Sequence, residues 1–348
     1  MAASIDKSSI HKILIIQTAF LGDVILTTGL VRAAVHALPT AEIHVLAIPE
    51  TSEIFERNPY VTRVLQFFKR NPKRKYHSLL KIIKEIRTQR YDAAISVQGS
   101  WTSSLMMLLG GIRLRIGFDN QKFMTDVVPL EKNLHATRRH LKLLTPLTDR
   151  QFDSTTELFW PESCEVKAKS LVSEVLGGEC KRHPGLVGLA PGSIWETKRW
   201  PAEYFSRLPG LLPLSAYRFV LLGGEGDRYM CEKIAEAADT RIFNYAGELS
   251  LLESAALISK LDLLISNDSA CMHIANAVRT DVFALFGPTV RNFGFFPYQP
   301  NDRLFEVDLY CRPCGKHGGR RCPEGHFRCM REITPEQVAA AVQEHLDL

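Results

Sequence analysis

The stretch KILIIQTAFLGDVILTTGLVRAAVHAL, residues 12–38, joins two patterns through one turn. Residues 12–17 form a short β-branched apolar run without polar alternation, which reads as a strand buried on both faces. Apolar residues then recur at helical spacing from 24 to 38, and Pro39 stops them. Parallel neighbouring strands need a crossover, so a strand feeding straight into a helix is the unit of a parallel α/β sheet. Gly22 and Asp23 occupy the turn. A carboxylate there either caps the helix, or forms the floor of a site at the strand's C-terminal end.

The same rhythm runs outward. IHVLA (43–47), VTRVLQF (61–67) and YDAAISVQ (91–98) read as strands, with a helix over 77–90 whose Leu79, Leu80, Ile82, Ile83 and Ile86 share one face. The pattern weakens between about 150 and 183. It restarts with GLVGLAPGS (185–193), YRFVLLGGEGD (217–227), TRIFNYAG (240–247), LDLLISNDS (261–269) and TDVFALFGPT (280–289). These predict an α/β fold of two doubly wound, Rossmann-like domains joined near 150–185. A last helix, 334–346, opens at Thr334-Pro335-Glu336.

The chain has 348 residues, 45% of them hydrophobic, and a formal charge of +5, which suits a globular two-domain protein and is small for a nucleic-acid binder. The segment MAASIDKSSIHK has no apolar run of signal-peptide length, and no stretch reaches the length of a spanning helix. The expected location is therefore cytoplasmic. Of eight cysteines, Cys164, Cys180, Cys231 and Cys271 are scattered and read as reduced thiols. The other four, Cys311, Cys314, Cys322 and Cys329, fall in a C-x2-C-x7-C-x6-C segment. Four thiolates complete a closed tetrahedral site, so structural zinc is expected there, with iron, free thiols or a disulfide as alternatives.

Three polar turns follow strands in the second half. In APGSIWETKRWP (190–201), Ser193 and Lys198 accompany free backbone amides, a combination suited to phosphate. In LLGGEGD (221–227), glycines allow close backbone approach and Glu225 stands where an acid bonds ribose hydroxyls. In SNDSACMHIANAV (266–278), Asp268 or Ser269 caps a helix whose first amides face an anion, and His273 lies on the same side. Each turn alone is equally a plain loop or cap; three at successive strand ends describe a nucleotide diphosphate pocket. The absence of GxGxxG after the first strand disfavours a dehydrogenase.

In order, LGDVILTTGLVRAA, APGSIWETKRWP, LLGGEGD, AGELSLLESAALI, SNDSACMHIANAV and FGPT resemble the motif series of glycosyltransferase family 9, the bacterial lipopolysaccharide heptosyltransferases. The resemblance spans residues 12 to about 344. It implies a GT-B architecture: an acceptor-binding domain over 1–165, a nucleotide-sugar domain over 166–330 with the cysteine-bearing tail 311–329, and a terminal helix in 331–348. It implies inverting transfer from ADP-heptose, with no cofactor required for catalysis. Asp23 matches the family's proposed general base and Lys198 its diphosphate cation. Ser193, Glu225, Asp268, Ser269, Ala270 and His273 match the nucleotide-sugar site, although Ala270 stands where many members have glycine. The tail is similar to that of second-heptose enzymes, which points to a heptosyl-Kdo2-lipid A acceptor.

Acceptor candidates are His135 and Arg138, beside Arg139, and the basic stretch FFKRNPKRKYH (67–77) with Lys73 and Arg74. The latter also suits peripheral contact with the anionic inner membrane. Two rivals stand: a family member with another acceptor or nucleotide sugar, and a zinc-tail nucleic-acid-binding protein. The tail lacks stacking aromatics and the charge is low, so no nucleic acid is expected as partner.

Overall fold

The computed structural model describes residues 10–177, 185–213, 215–238 and 242–346. The chain divides into two compact units, Met1–Phe159 and Trp160–Leu348. Among the described residues, no helix is long and apolar enough to cross a membrane.

Unit 1 runs β1 (Lys12–Ile16), α1 (Leu21–Ala37), β2 (Glu42–Ala47), α2 (Pro49–Glu56), β3 (Arg63–Gln66) and α3 (Lys75–Gln89). It continues with β4 (Ala93–Ser96), α4 (Trp101–Leu109), β5 (Leu114–Phe118), β6 (Asp126–Val128) and α5 (Ala136–Lys142). The sheet is parallel in the order β3-β2-β1-β4-β5-β6. In register, Ile13 lies between Ile43 and Ala93. Leu14 and Ile16 pack one face with Leu46, Ala94, Ile82 and Ile86, while Ile13 and Ile15 on the other face are also fully buried. Helices therefore cover both sides, as the unbroken apolar runs require.

Two expectations change here. Helix α1 begins at Leu21 with Phe20 as its N-cap, so Asp23 lies inside the first turn rather than at the cap. Helical spacing puts Leu80 on the face shared with Leu79, Ile82, Ile83 and Ile86, yet it is 69% exposed; Ile82, Ile83 and Ile86 carry the packing.

Unit 2 runs α6 (Glu162–Leu176), β7 (Gly185–Ala190), α7 (Ala202–Arg207), β8 (Tyr217–Leu221), α8 (Arg228–Ala237) and β9 (Ile242–Asn244). Then come α9 (Leu251–Ile258), β10 (Leu263–Asn267), α10 (Ala270–Val278), β11 (Asp281–Phe286), β12 (Arg303–Glu306), α11 (Arg328–Arg331) and α12 (Pro335–Leu346). Its sheet is parallel in the order β12-β11-β10-β7-β8-β9, the same winding as unit 1. Trp200 is buried in its core and donates its indole N–H to the Ile333 carbonyl at 2.8 Å, tying the loop after β7 to the chain before α12. Thr334 and Gln337 exchange side-chain and backbone bonds at 3.0 and 3.3 Å, a capping box that starts α12. Residues 240 and 241 of the expected strand 240–247, and Cys180, lie outside the described residues.

This strand order reverses direction between β1 and β4 in unit 1 and between β7 and β10 in unit 2. At such a switch point the two following loops leave the sheet in opposite directions and open a crevice at the strands' C-terminal ends. Asp23 follows β1, Lys198 follows β7 and Asp268 follows β10. All three stand beside switch points.

Candidate active site

In unit 2 the buried Asn267 ends β10 and holds the loop after β7 at both ends. Its amide Nδ2 donates to the Pro191 carbonyl at 2.7 Å, and its Oδ1 accepts from the Trp200 N–H at 2.9 Å. Between those ties, Lys198 Nζ reaches Asp268 Oδ2 at 2.6 Å, with the two side chains only 13% and 10% exposed. Asp268 also accepts from Thr289 Oγ1 at 2.6 Å. A charged pair so nearly removed from water is held by several partners rather than left to solvent.

Ser269 is the N-cap of α10 by backbone conformation, but its hydroxyl makes no capping bond and lies 3.3 Å from Ser266 Oγ. The start of α10, the positive end of its helix dipole, thus carries no cap from the Ser269 side chain. One turn further, His273 is 5% exposed, and its Nδ1 has no hydrogen-bond partner. Burial pushes its pKa down to about 4, against the pull of Asp268 and with the Lys198 charge adding to the drop. The imidazole is neutral at pH 7. An unpaired buried polar atom costs about 1–3 kcal/mol, so a cation, a helix start without a side-chain cap and this orphan nitrogen together form an incomplete cradle for an anion.

Ser193 lies in the same loop, partly exposed, with its carbonyl accepting from Arg199 Nε at 2.9 Å. Glu225 is an exposed carboxylate forked onto Arg228 at 3.2 and 2.9 Å, and that guanidinium holds its pKa below the usual carboxylate range. Arg228 also donates to the Gly247 carbonyl at 2.8 Å. Gly247 has φ +75°, and a side chain there would stand 2.9 Å from Glu225 Oε2. Sequence reasoning missed Asn267, Thr289 and Asp227. Thr289 ends FGPT, a motif noted without a role for its threonine. Asp227 ends LLGGEGD, and its carboxylate would lie 2.5 Å from a Cβ at Gly192.

In unit 1 Asp23 is partly exposed, and its backbone carbonyl accepts from Thr27 Oγ1 at 2.8 Å and from the buried Gln17 amide at 3.4 Å. These bonds fix the turn from beneath. Arg139 on α5 sits near enough for the Asp23 charge to raise its pKa, although burial lowers it further. His135 is buried and caps α5, its Nδ1 2.7 Å from Thr137 Oγ1 and accepting from the Thr137 N–H at 3.3 Å. Arg138 lines a cavity of about 750 Å³ with Glu131, Lys142 and Asp149. Lys73 and Arg74 are exposed, in a turn where Asn71 Oδ1 accepts both their amides at 3.1 and 3.2 Å. Their neighbours reach the Asp23 loop: Arg70 stacks 4.9 Å over Phe20, and Lys69 Nζ donates to the Thr18 carbonyl at 3.5 Å.

Cys314, Cys322 and Cys329 line one small cavity of about 50 Å³. Even so, no group of three or more His, Cys, Asp or Glu side chains among the described residues stands close enough to hold a metal ion. Cys314 Sγ donates to the Cys311 carbonyl at 3.1 Å, while Cys311 Sγ lies 3.8 Å from His326 Nε2. Burial raises the Cys314 thiol and brings Cys329 to about 11. The four-thiolate zinc or iron expectation therefore has no converged donor set in this arrangement. Elemental analysis of purified protein is expected to find substoichiometric zinc and iron; one equivalent per chain would require the four thiols to draw together. Of the scattered cysteines, Cys164 and Cys231 are buried and Cys271 is partly buried; burial lifts Cys231 to about 12 and Cys271 to about 11.

Comparison with known proteins fits this geometry. A family model described as glycosyltransferase family 9 (heptosyltransferase) matches residues 79–324. The sequence is 29% identical over 339 residues to lipopolysaccharide heptosyltransferase 3 of Escherichia coli (strain K12), covering 93% of this chain and 95% of that one. It is 26% identical over 342 residues to lipopolysaccharide heptosyltransferase 2 of the same strain, covering 94% and 96%. A glycosyl transferase family 9 structure from Veillonella parvula DSM 2008 superposes with a TM-score of 0.84 at 25% identity, covering 99% of each chain.

Proposed function

The chain belongs to glycosyltransferase family 9, the heptosyltransferases, and we propose that it moves L-glycero-D-manno-heptose from ADP-heptose to the lipopolysaccharide inner core, onto an acceptor that already carries one heptose. The observation that carries this reading is the Lys198–Asp268 pair beside the start of α10, which Ser269 does not cap, with the unpartnered His273 Nδ1 behind it. That combination suits a diphosphate.

In this reading the bond between the anomeric carbon and the diphosphate oxygen breaks, and its electron pair leaves with ADP. Lys198 and the amides at Ser269 and Ala270 stabilise the growing charge, and the neutral His273 ring contributes a hydrogen bond. Ala270 replaces the glycine common in the family, and its methyl group is small enough to leave the amide accessible. Ser193 lines the same loop, and Glu225, steered by Arg228, bonds the ribose. The acceptor oxygen attacks from the opposite face and inverts the anomeric centre. Asp23 takes its proton. No cofactor enters the reaction.

The acceptor is a phosphorylated lipid A–Kdo glycolipid, suited by Arg138, Arg139 and the basic loop with Lys73 and Arg74, which also favours peripheral contact with an anionic membrane on the cytoplasmic side. His135 serves this surface indirectly, by capping α5. The similarity to a heptosyltransferase 3, at 29% against 26% for a heptosyltransferase 2, favours a longer acceptor as the second reading. Transfer from ADP-heptose to lipid A–Kdo acceptors bearing no, one or two heptoses separates them. Product on the one-heptose acceptor alone is expected. Product only on the two-heptose acceptor would support the second reading, and none on any, despite ADP binding, would overturn both.

A further inference from the structure

Lys198 lies on a single 3-10 turn, Glu196–Lys198, between the two points where Asn267 holds the loop. The residue before it, Thr197, is 5% exposed and is bound by a segment 122 positions away. Its N–H donates to the Gly319 carbonyl at 3.1 Å. Its hydroxyl donates to that carbonyl at 2.9 Å and accepts from the Gly319 N–H at 2.8 Å. One threonine thus satisfies both backbone groups of one residue in the cysteine-bearing strap.

The neighbouring Gly318 has φ +81°, and a Cβ there would lie 3.1 Å from Thr197 Oγ1 and 3.2 Å from Lys198 Cγ. The strap backbone therefore crosses the aliphatic stem of Lys198 at van der Waals range, where only glycine suits both the space and the conformation. The strap is itself fixed to the end of β11. Arg312, whose side chain is only 5% exposed, donates to the Gly287, Val307 and Thr289 carbonyls and pairs with Glu306, and the Cys314 N–H donates to the Pro288 carbonyl at 3.1 Å. Thr289 at that same strand end donates to Asp268. Both members of the Lys198–Asp268 pair are thus referenced to one rigid element, one through Thr289 and the other through the strap and Thr197. His317, next to Gly318, is near enough to feel the charges of Lys198 and Asp268.

We infer that Thr197 is a positioning residue for the donor site: clasped by Gly318 and Gly319, it sets where the Lys198 ammonium stands, so the strap 311–329 is part of the nucleotide-sugar site and not only a covering segment. This rests on the proposed diphosphate role of Lys198. A long lysine loses rotamer entropy when it is held on a ligand, and a turn already locked in place has met that cost before the ligand arrives.

The test uses the full chain with Thr197→Val, which keeps the volume and removes the hydroxyl, and Thr197→Ser, which keeps the hydroxyl. Calorimetry with ADP, steady-state kinetics in both substrates, and melting temperature are read together. Thr197→Val is expected to raise the ADP Kd and the donor KM about tenfold, the scale of a lost buried hydrogen bond, with the acceptor KM unchanged. Thr197→Ser is expected to restore most of that loss. Unchanged ADP affinity in Thr197→Val, or an equal loss in every parameter that serine does not rescue, would overturn the assignment. Should Thr197→Val not fold, Gly318→Ala tests the clasp from the strap side, and wild-type ADP affinity in that folded variant would overturn it equally. Lys198→Ala in the same series separates the two levels. If it binds ADP normally, the nucleotide-site reading fails; if it weakens ADP while Thr197→Val does not, only the positioning role fails.

Discussion

Replacing Asp23 with Asn is expected to lower kcat by about 10²–10⁴-fold, the range of a lost general base, and to leave ADP affinity unchanged. The substitution keeps shape and hydrogen-bonding reach and removes only basicity. The turn should survive it, because the bonds that fix the turn use the backbone carbonyl of Asp23, from Thr27 and Gln17, and not its carboxylate. The groups proposed to hold ADP all lie in unit 2, so nucleotide affinity has no reason to change. The carboxylate is in the first turn of α1 and within electrostatic reach of Arg139. A negative charge suits the start of a helix, so the carboxylate stands where it can accept a proton.

A carboxylate takes the proton as the acceptor oxygen turns acidic by bonding to the anomeric carbon, so the defect should appear in kcat under saturating substrates and not in either binding constant. Single-turnover transfer with saturating ADP-heptose and acceptor checks it. Turnover within tenfold of the parent would remove the base assignment and leave Asp23 as a first-turn acid that serves the helix dipole.

The central strands were legible because they are buried on both faces. Residues 13–16, 43–47 and 263–267 are mostly apolar runs with nothing exposed, and their polar members His44, Ser266 and Asn267 are buried too. The strands β5, β6 and β12, the last two at sheet edges, were not, because charged residues interrupt them. Arg115 in β5 turns back to donate to the Phe123 and Ile112 carbonyls at 2.7 and 2.5 Å, a use of an arginine that no strand pattern reveals. The site shows the same division. Lys198, Asp268 and His273 sit in local turns whose chemistry is written in consecutive residues. Asn267 and Thr197 matter through partners 76 and 122 positions away, and a hydrogen bond across that separation leaves no local spacing to read. The cysteine quartet failed in the opposite way. Its density was visible, but the bonds from Arg312 and the Cys314 N–H that hold its backbone to the residues after β11 were not.

Lys198→Ala is expected to weaken ADP binding about 10–100-fold, the scale of a charge-assisted contact, and to lower kcat further, by about 10²–10³-fold. The larger effect falls on kcat because the diphosphate gains negative charge as the glycosidic bond breaks, so the ammonium does more in the transition state than in the bound ground state. The variant also leaves Asp268, only 10% exposed, with Thr289 as its remaining side-chain partner, and orphaning one member of a buried pair costs about 3–5 kcal/mol. Lost stability alone would therefore mimic lost chemistry. The double variant Lys198→Ala, Asp268→Asn separates them, because it removes the stranded charge without returning the cation. Its melting temperature should recover most of the way to the parent value while kcat and ADP affinity stay low. If turnover recovers along with stability, Lys198 and Asp268 are a structural pair and the diphosphate must be held elsewhere. If stability recovers alone, the ammonium acts on the leaving group.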